Sequence, residues 1–438
     1  MTTIVWFRND LRLADNPALA EAAARGPVIP VYVWAPGEEG DWPPGAASRW
    51  WLRRSLAALD AQLRRRRSRL IIRRGGSTRR TLSALMHETG AQRIVWNRRY
   101  EPAVLARDLR LLDSLPGAQA FAGSLLWEPW QVQTRSGGPY QVFTPFWRAV
   151  TRLGEPRAPI AVPRISPPEA WPGSEAIDSL GLAPMVRWDT GLERAWVPGE
   201  AGARDALDEF AQRAGRYADD RDRLDRATSR LSPHLHFGEV SPAQVWSAVP
   251  GSARAGGAEF RRQLVWREFA HHLLHHFPDT DREPLRPAYA RMPWRDDPEA
   301  LCRWQRGETG YELVDAGMRQ LWQTGWMHNR VRMVAASFLT KHLLIHWREG
   351  ARWFWDTLVD ADLANNSLGW QWVAGSGADA APFHRIFNPV AQARRFDPDG
   401  AYRDRWLGDG PRPAPIVELT AARERALGAY RTARELLD

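Results

Sequence analysis

The first part of the chain alternates short β-rich runs with longer amphipathic ones. Thr3–Phe7, Val28–Trp34 and residues 70–73 and 93–96 are apolar or β-branched runs of strand length, the pattern of strands buried on both faces. Between them, residues 48–66 and 81–89 carry helical periodicity. Ser48 is placed to cap the first helix, and Gly90 sits where a C′ glycine ends the second. This βα alternation predicts an α/β unit, a parallel Rossmann-like sheet with helices on both faces. From Glu128 to Pro198 proline and glycine dominate, so the segment reads as a connector; only the apolar patch around Pro145 and Phe146 reads as helical. After Gly199 the period becomes helical almost throughout. One helix is expected over 258–277, with Gln263, Trp266, Arg267 and Ala270 along one face. Another is expected over 326–347, with Met327, Val331, Val334 and Phe338 as its apolar stripe and Asn329, Arg332 and Met333 opposite. The expected organisation is an α/β domain over 1–128, a linker over 129–198 and a larger all-α domain over 199–438.

Composition narrows the classes. A chain of 438 residues can bury two cores, and 44% hydrophobic with 25% charged residues is the balance of a soluble globular protein. No apolar run reaches membrane-span length, and the start MTTIVWFRNDLR is charged too early for a secretory leader, so a cytoplasmic protein is expected. The lone Cys302 excludes an internal disulfide framework and a cysteine-ligated cluster. The net charge of +9 points to a polyanionic partner, and every basic residue except Lys341 is arginine, whose fork suits phosphate; GC-rich coding gives the same bias. Twenty-four tryptophans exceed what packing alone calls for and point to stacking or electron chemistry.

No GxGxxG or GxxxxGK[ST] follows any strand, which argues against an ordinary dinucleotide or NTP site. The arginine run 64–67 reads as a solvated helix end. His271, His272, His275 and His276 form two i,i+4 pairs, but without HExxH or a third ligand they read as a helix C-terminus rather than a metal site. The stretch ATSRLSPHLHFGE (227–239) gathers Thr228, Ser229 and Ser232 around Ser-Pro; it is either a helix cap and turn or a cradle for an anion such as a pyrophosphate. Residues 360–372, DADLANNSLGWQW, crowd two acids, two amides and two indoles together, which suits a pocket for a large polar aromatic cofactor better than a core helix.

Seven segments together resemble the DNA photolyase/cryptochrome family: WFRNDLRLADNPAL (6–19), GAASRWWL (45–52), TSRLSP (228–233), LVWREF (264–269), TGWMHNRVRM (324–333), DADLANNSLGWQW (360–372) and RIFNP (385–389). They occur in the family's order along nearly the whole chain, and GAASRWWL with DADLANNSLGWQW resembles the branch shared by bacterial class III photolyases and plant cryptochromes. The resemblance implies an all-α FAD-binding domain behind the α/β one. Tyr217 and Thr228, Ser229, Arg230, Leu231 and Ser232 match positions gripping the phosphate and sugar portion of FAD. Asp360, Ala361 and Asp362 match its flavin and ribose side, and Arg332 matches the partner of Asp360. Asn366, rather than Asn365, matches the asparagine facing flavin N5, where an amide can serve either protonation state of that nitrogen. Trp370, Trp347 and Trp294 match the family's electron-relay tryptophans, while Trp304 and Trp355 match none.

On the substrate side, Trp266 and Trp372 match the indoles walling a flipped-out pyrimidine dimer, with Met333 and Asn329 beside them. Asn329 stands where (6-4) enzymes tend to carry a histidine pair, which implies cyclobutane dimers. Gln263 departs from the glutamate usual at its position. Arg221, Arg267, Arg330 and Arg385 match or neighbour phosphate contacts. The folate-binding Asn-Glu pair of some relatives is replaced here by Ala103 and Val104; Glu38, Glu39 and Trp42 lie in the loop where class III relatives hold an antenna, which implies methenyltetrahydrofolate there. The expected activity is light-driven repair of cyclobutane pyrimidine dimers in DNA by an electron from excited reduced FAD, by a monomer without membrane attachment. The alternative is a cryptochrome-like blue-light receptor; the end of the chain at Asp438, without a long tail, favours repair.

Overall fold

Five strands, β1 (Thr3–Phe7), β2 (Val28–Trp34), β3 (Ile71–Arg74), β4 (Arg93–Asn97) and β5 (Ala118–Phe121), form one parallel sheet in the order β3-β2-β1-β4-β5. The computed structural model describes all residues except 253, 381, 382, 384, 411 and 436–438, and no side chains for 254, 434 and 435. Alternation along β1 shows why its sequence is continuously apolar. Ile4 and Trp6 join one core layer with Leu82, Leu85 and Leu111, whereas Val5 and Phe7 join the opposite layer with Leu19, Trp50 and Leu56. Those layers are helices α1 (Pro17–Arg25), α2 (Ala46–Arg64), α3 (Thr78–Thr89) and α4 (Pro102–Ser114). Ser48 does not cap α2. Gly45 does, because a Cβ there would lie 2.4 Å from the Trp355 carbonyl oxygen, so only glycine allows α2 to start against the helical part of the molecule. Helix α3 starts at Ser77, whose hydroxyl accepts from Arg80 N, and ends as expected on Gly90 at φ 62°.

Segment 129–198 contributes to both cores. Helix α5 (Phe143–Leu153) buries Phe143 and Phe146 against the long helix α6 (Arg254–His276), as the apolar patch predicted. Farther on, Val28 N donates to Ser166 O at 2.9 Å, and Ile165, Leu180, Leu192 and Trp196 pack into the sheet's own core. Short helical turns at Ile177–Leu180 and Thr190–Ala195 add regular structure that its proline content does not predict.

The remaining helices include α7 (Glu312–Thr324), α8 (Asn329–Ser337), α9 (Trp347–Thr357) and α10 (Leu363–Ala374). A single helix over 326–347 does not form. Helix α8 runs into one π-turn at Phe338–His342, Leu344 adopts φ 57°, and α9 restarts behind His346. Each new start is capped by a histidine: His328 Nδ1 accepts from Arg330 N and His346 Nδ1 from Arg348 N, both at 3.1 Å. The stripe Met327, Val331, Val334 and Phe338 is nevertheless fully buried. Across the two parts, Trp51 Nε1 donates to Glu239 Oε1 (2.9 Å) and Arg12 Nη1 to Gly238 O (3.0 Å), which docks the LHFGE turn on the loop after β1.

Candidate functional site

Helices α6, α8, α9 and α10 and the turns at 229–236 and 326–327 enclose a cavity of about 570 Å³. That is within the ~300–1,000 Å³ range of small-molecule sites. Asp360, immediately before α10, sets its polar end. Asp360 Oδ2 accepts from Ser232 Oγ (2.6 Å) and Arg332 Nη2 (2.9 Å), and Arg332 is braced by its Nε donating to Met327 O (2.7 Å). Asp360 Oδ1 is buried with no protein partner. A buried carboxylate oxygen left without a donor is costly, so this atom asks for a ligand N–H or O–H.

Asp362 divides its oxygens. Oδ1 caps α10 by accepting from Asn365 N (2.9 Å) and Asn365 Nδ2 (2.7 Å), while Oδ2 faces His271 Nε2 (3.5 Å) and His236 Nδ1 (3.8 Å). Burial opposes its ionisation, yet the two histidines hold the carboxyl well below the usual range; His271, desolvated but beside Asp362, is raised above its ordinary value. Asn365 is thus spent on the cap and exposed. Asn366 is half-buried in the cavity wall, with Nδ2 donating to Ala351 O at 3.0 Å, which leaves its Oδ1 as an acceptor.

At the more exposed side stand Trp266, Trp372, Met333, Asn329 and Gln263. Phe143 stacks on Trp266 at 3.7 Å and 5°, which fixes the indole as a rigid platform. Tyr217, Ser229, Leu231, Ser232, Ala361, Arg221 and Arg267 complete the predicted lining. Four predicted residues are placed elsewhere. Thr228 offers its carbonyl to Arg213 (2.8 Å). Arg230, at φ 54°, turns its guanidinium to Ala195 O (3.1 Å) and over Trp196. Arg330 pairs with Asp222 at 2.7 Å, and Arg385 lies over Phe387. The part-buried Thr228 carbonyl contact and the Arg230 stack orient the turn, so only its Ser229, Leu231 and Ser232 side reaches the cavity.

Trp370 lines the cavity and meets Phe354 at 5.0 Å and Trp304 at 6.2 Å. Trp294 and Trp347 each contact His346, with ring centroids 5.2 and 5.7 Å away. Sequence reasoning named neither His346 nor Trp304 as a neighbour, and it missed His236 and Glu259. The histidine cluster on α6 separates by role: His271 faces Asp362, while His272 accepts from Tyr140 N (3.1 Å). Among the described residues no group of three His, Cys, Asp or Glu is placed to hold a metal.

In the loop expected to hold a folate, the three named side chains all have partners within the protein. Glu38 accepts from Thr78 N (3.1 Å), Glu39 is forked to Arg99 (2.9 and 3.0 Å), and Trp42 Nε1 donates to Asp281. Glu39 and Trp42 border a gap of about 50 Å³ between sheet and helices, where Trp42 packs edge-on to Trp355 at 5.5 Å.

The 570 Å³ cavity, by contrast, has the size, the orphaned Asp360 oxygen and the acid–amide donor set that FAD requires. A family model described as the FAD binding domain of DNA photolyase matches residues 260–410, and one described as DNA photolyase matches 3–164. The chain is 47% identical to the deoxyribodipyrimidine photo-lyase of Agrobacterium fabrum, over 98% of this chain and 97% of that one. It is 38% identical to Cryptochrome-2 of Arabidopsis thaliana, over 99% of this chain and 78% of that one. Among solved structures, a bacterial class III photolyase from Agrobacterium tumefaciens superposes with a TM-score of 0.94 at 46% identity, covering 99% of this chain and 98% of that one. A cryptochrome of Synechocystis superposes with a TM-score of 0.87 at 25% identity, covering 98% and 99%.

Proposed function

The chain belongs to the DNA photolyase/cryptochrome family, and we propose that it repairs cyclobutane pyrimidine dimers in DNA under blue light. One observation carries this reading: a single cavity holds the buried Asp360 with the part-buried Asp362 and Asn366 at one end and more exposed indoles, a thioether and amides at the other. Reduced FAD, when bound, supplies the light-driven electron that splits the cyclobutane ring. Asp360, Arg332, Ser232 and Asp362 would hold the cofactor, with Asp360 Oδ1 accepting one of its donors. Asn366 Oδ1 would accept at the flavin end, because its Nδ2 donates to Ala351 O.

Trp370 borders that end, and with Trp347 and Trp294 it forms the route by which the protein returns electrons from its surface. A flipped dimer, already unstacked and unpaired, leaves the duplex at reduced cost and is received between Trp266 and Trp372, beside Met333 and Asn329. Phosphates beside the dimer would be met by Arg267 on the cavity wall and the exposed Arg385 outside it, with Arg221 and Arg330 behind them paired to Glu259 and Asp222, so binding weakens as salt rises. No side chain acts as a nucleophile; the protein positions and excludes water. In this reading residues 1–128 and 199–438 are the scaffold and catalytic domains joined through 129–198, and a monomer suffices because one chain supplies the whole lining.

The test is illumination of reduced, FAD-loaded protein with a thymine-dimer oligonucleotide. Recovery of absorbance from intact thymines is expected. If FAD is bound and photoreducible but the thymines do not return, the photoreceptor reading replaces this one.

A further inference from the structure

Gln263 lies in the cavity wall and donates from Nε2 to Glu259 Oε1 at 2.8 Å, one helical turn earlier on α6. Glu259 is in turn ion-paired with Arg221, and both carboxylate and guanidinium are about three-quarters withdrawn from solvent, at 27% and 22% exposure. An ionised carboxylate only accepts, so it can face only the amide's NH₂ end. Flipping Gln263 would set its carbonyl oxygen against Glu259, an oxygen–oxygen repulsion with no donor between. Arg221 holds the carboxylate in place, and Arg221 itself continues from Tyr217 on the same wall.

The ligand therefore meets a fixed pattern: the Gln263 Oε1 acceptor and the remaining Nε2–H donor. That pair complements an imide edge, in which a ring N–H donor adjoins a carbonyl acceptor. It mismatches a cytosine edge, where an unprotonated ring nitrogen adjoins an amino group. A freely turning amide would serve both.

We propose that Glu259 is a specificity-determining positioning residue, which locks Gln263 so that the site prefers thymine- and uracil-type dimers over cytosine dimers. This rests on the repair reading above. It explains how a glutamine can select one base edge although its amide is inherently two-sided: the choice is made by the carboxylate behind it.

The test compares FAD-loaded wild type, Glu259→Gln and Gln263→Leu on oligonucleotides carrying a thymine dimer or a freshly prepared cytosine dimer. Dark binding and light-driven repair are both measured. Glu259→Gln keeps an oxygen for Arg221 but can also donate, so Gln263 is freed to turn. The wild type should favour the thymine dimer, and E259Q should lose roughly tenfold of that preference, the worth of one hydrogen bond. The loss should fall on KM and dark affinity, with kcat at saturation, FAD content and FAD photoreduction unchanged. Q263L should lose the preference too, and E259Q added to it should lose nothing more. An E259Q protein that discriminates as the wild type does, while the wild type repairs thymine dimers, overturns the inference and leaves the repair reading standing. A wild type that neither binds nor repairs either dimer overturns both.

Discussion

Gly350→Ala on α9 tests whether Trp370 is held as tightly as the structure shows. A Cβ at Gly350 would fall 2.0 Å from Trp370 Cη2, 2.5 Å from Cζ3 and 2.6 Å from Cζ2, all on the outer edge of the indole. The ring cannot simply retreat, because it is 3% exposed with Phe354 at 5.0 Å and Trp304 at 6.2 Å on other sides. Forcing a methyl into such a core costs about 1–3 kcal/mol. Alanine recovers roughly 0.5–1 kcal/mol by its better helix propensity. Taking the middle of each range, the net cost is about 1 kcal/mol, and because Trp370 is cavity wall, it is expected in ligand affinity as well as stability. Titration of FAD into apoprotein should show Kd weakened by roughly fivefold, the equivalent of that energy. Trp370→Phe removes the outer ring edge, so the double variant should lose less than the sum of the singles. A Gly350→Ala protein with wild-type FAD affinity and unfolding midpoint would refute the packing argument.

Asp360→Asn strands Arg332, and FAD should bind at least about tenfold more weakly, the scale of a charged hydrogen bond lost at a buried site; full FAD content after purification would contradict this. His271 is raised above its ordinary 6.5 by Asp362, so its contribution to stability is complete below that pH and is lost as pH rises through the folded value. His271→Gln should therefore destabilise more below the ordinary histidine range than at alkaline pH in urea unfolding; a pH-independent difference would exclude the pairing. Lys341, the sole lysine, is pushed down to about 7 by burial, with Arg385 adding to it, and its Nζ has the Arg385 carbonyl at 3.0 Å. Its unfolded form keeps a proton that the folded form gives up, so Lys341→Met should stabilise by about 1–3 kcal/mol at pH 7. That gain should shrink toward pH 10 and stay constant below 7; a gain that does not shrink would show that the amine's charge is not the cause.

What was legible in the sequence follows from which forces act locally. β1 and β2 have the predicted bounds because burial on both faces imprints a continuous apolar run. β5, an edge strand reading AQAF and only half-buried, leaves no such imprint, nor does the start of α2, where the requirement for Gly45 comes from a distant carbonyl. The helix expected over 326–347 breaks at Leu344 because FLTKHLLI is buried on all sides, its polar Thr340, Lys341 and His342 included, so periodicity contains no information about where the helix turns aside. Proline-rich 129–198 misleads for the opposite reason: its anchors Ile165, Leu180 and Trp196 are isolated in sequence and become a layer only on the sheet.

The site divides along the same line. Residues 360–372 are readable because acid, amide and indole are packed into one helix start. Their division of labour is not. A D-x-D pattern cannot say that one Asp362 oxygen is committed to capping α10 while the other faces His236 and His271, which come from two other segments. The same holds for Gln263, whose meaning depends on Glu259 and Arg221 behind it. A side chain with two unlike ends carries its chemistry in its orientation, and orientation is set by the partner on the far side. Motifs record which groups meet the ligand; the residues that aim them carry no motif and emerge only when the chain is folded.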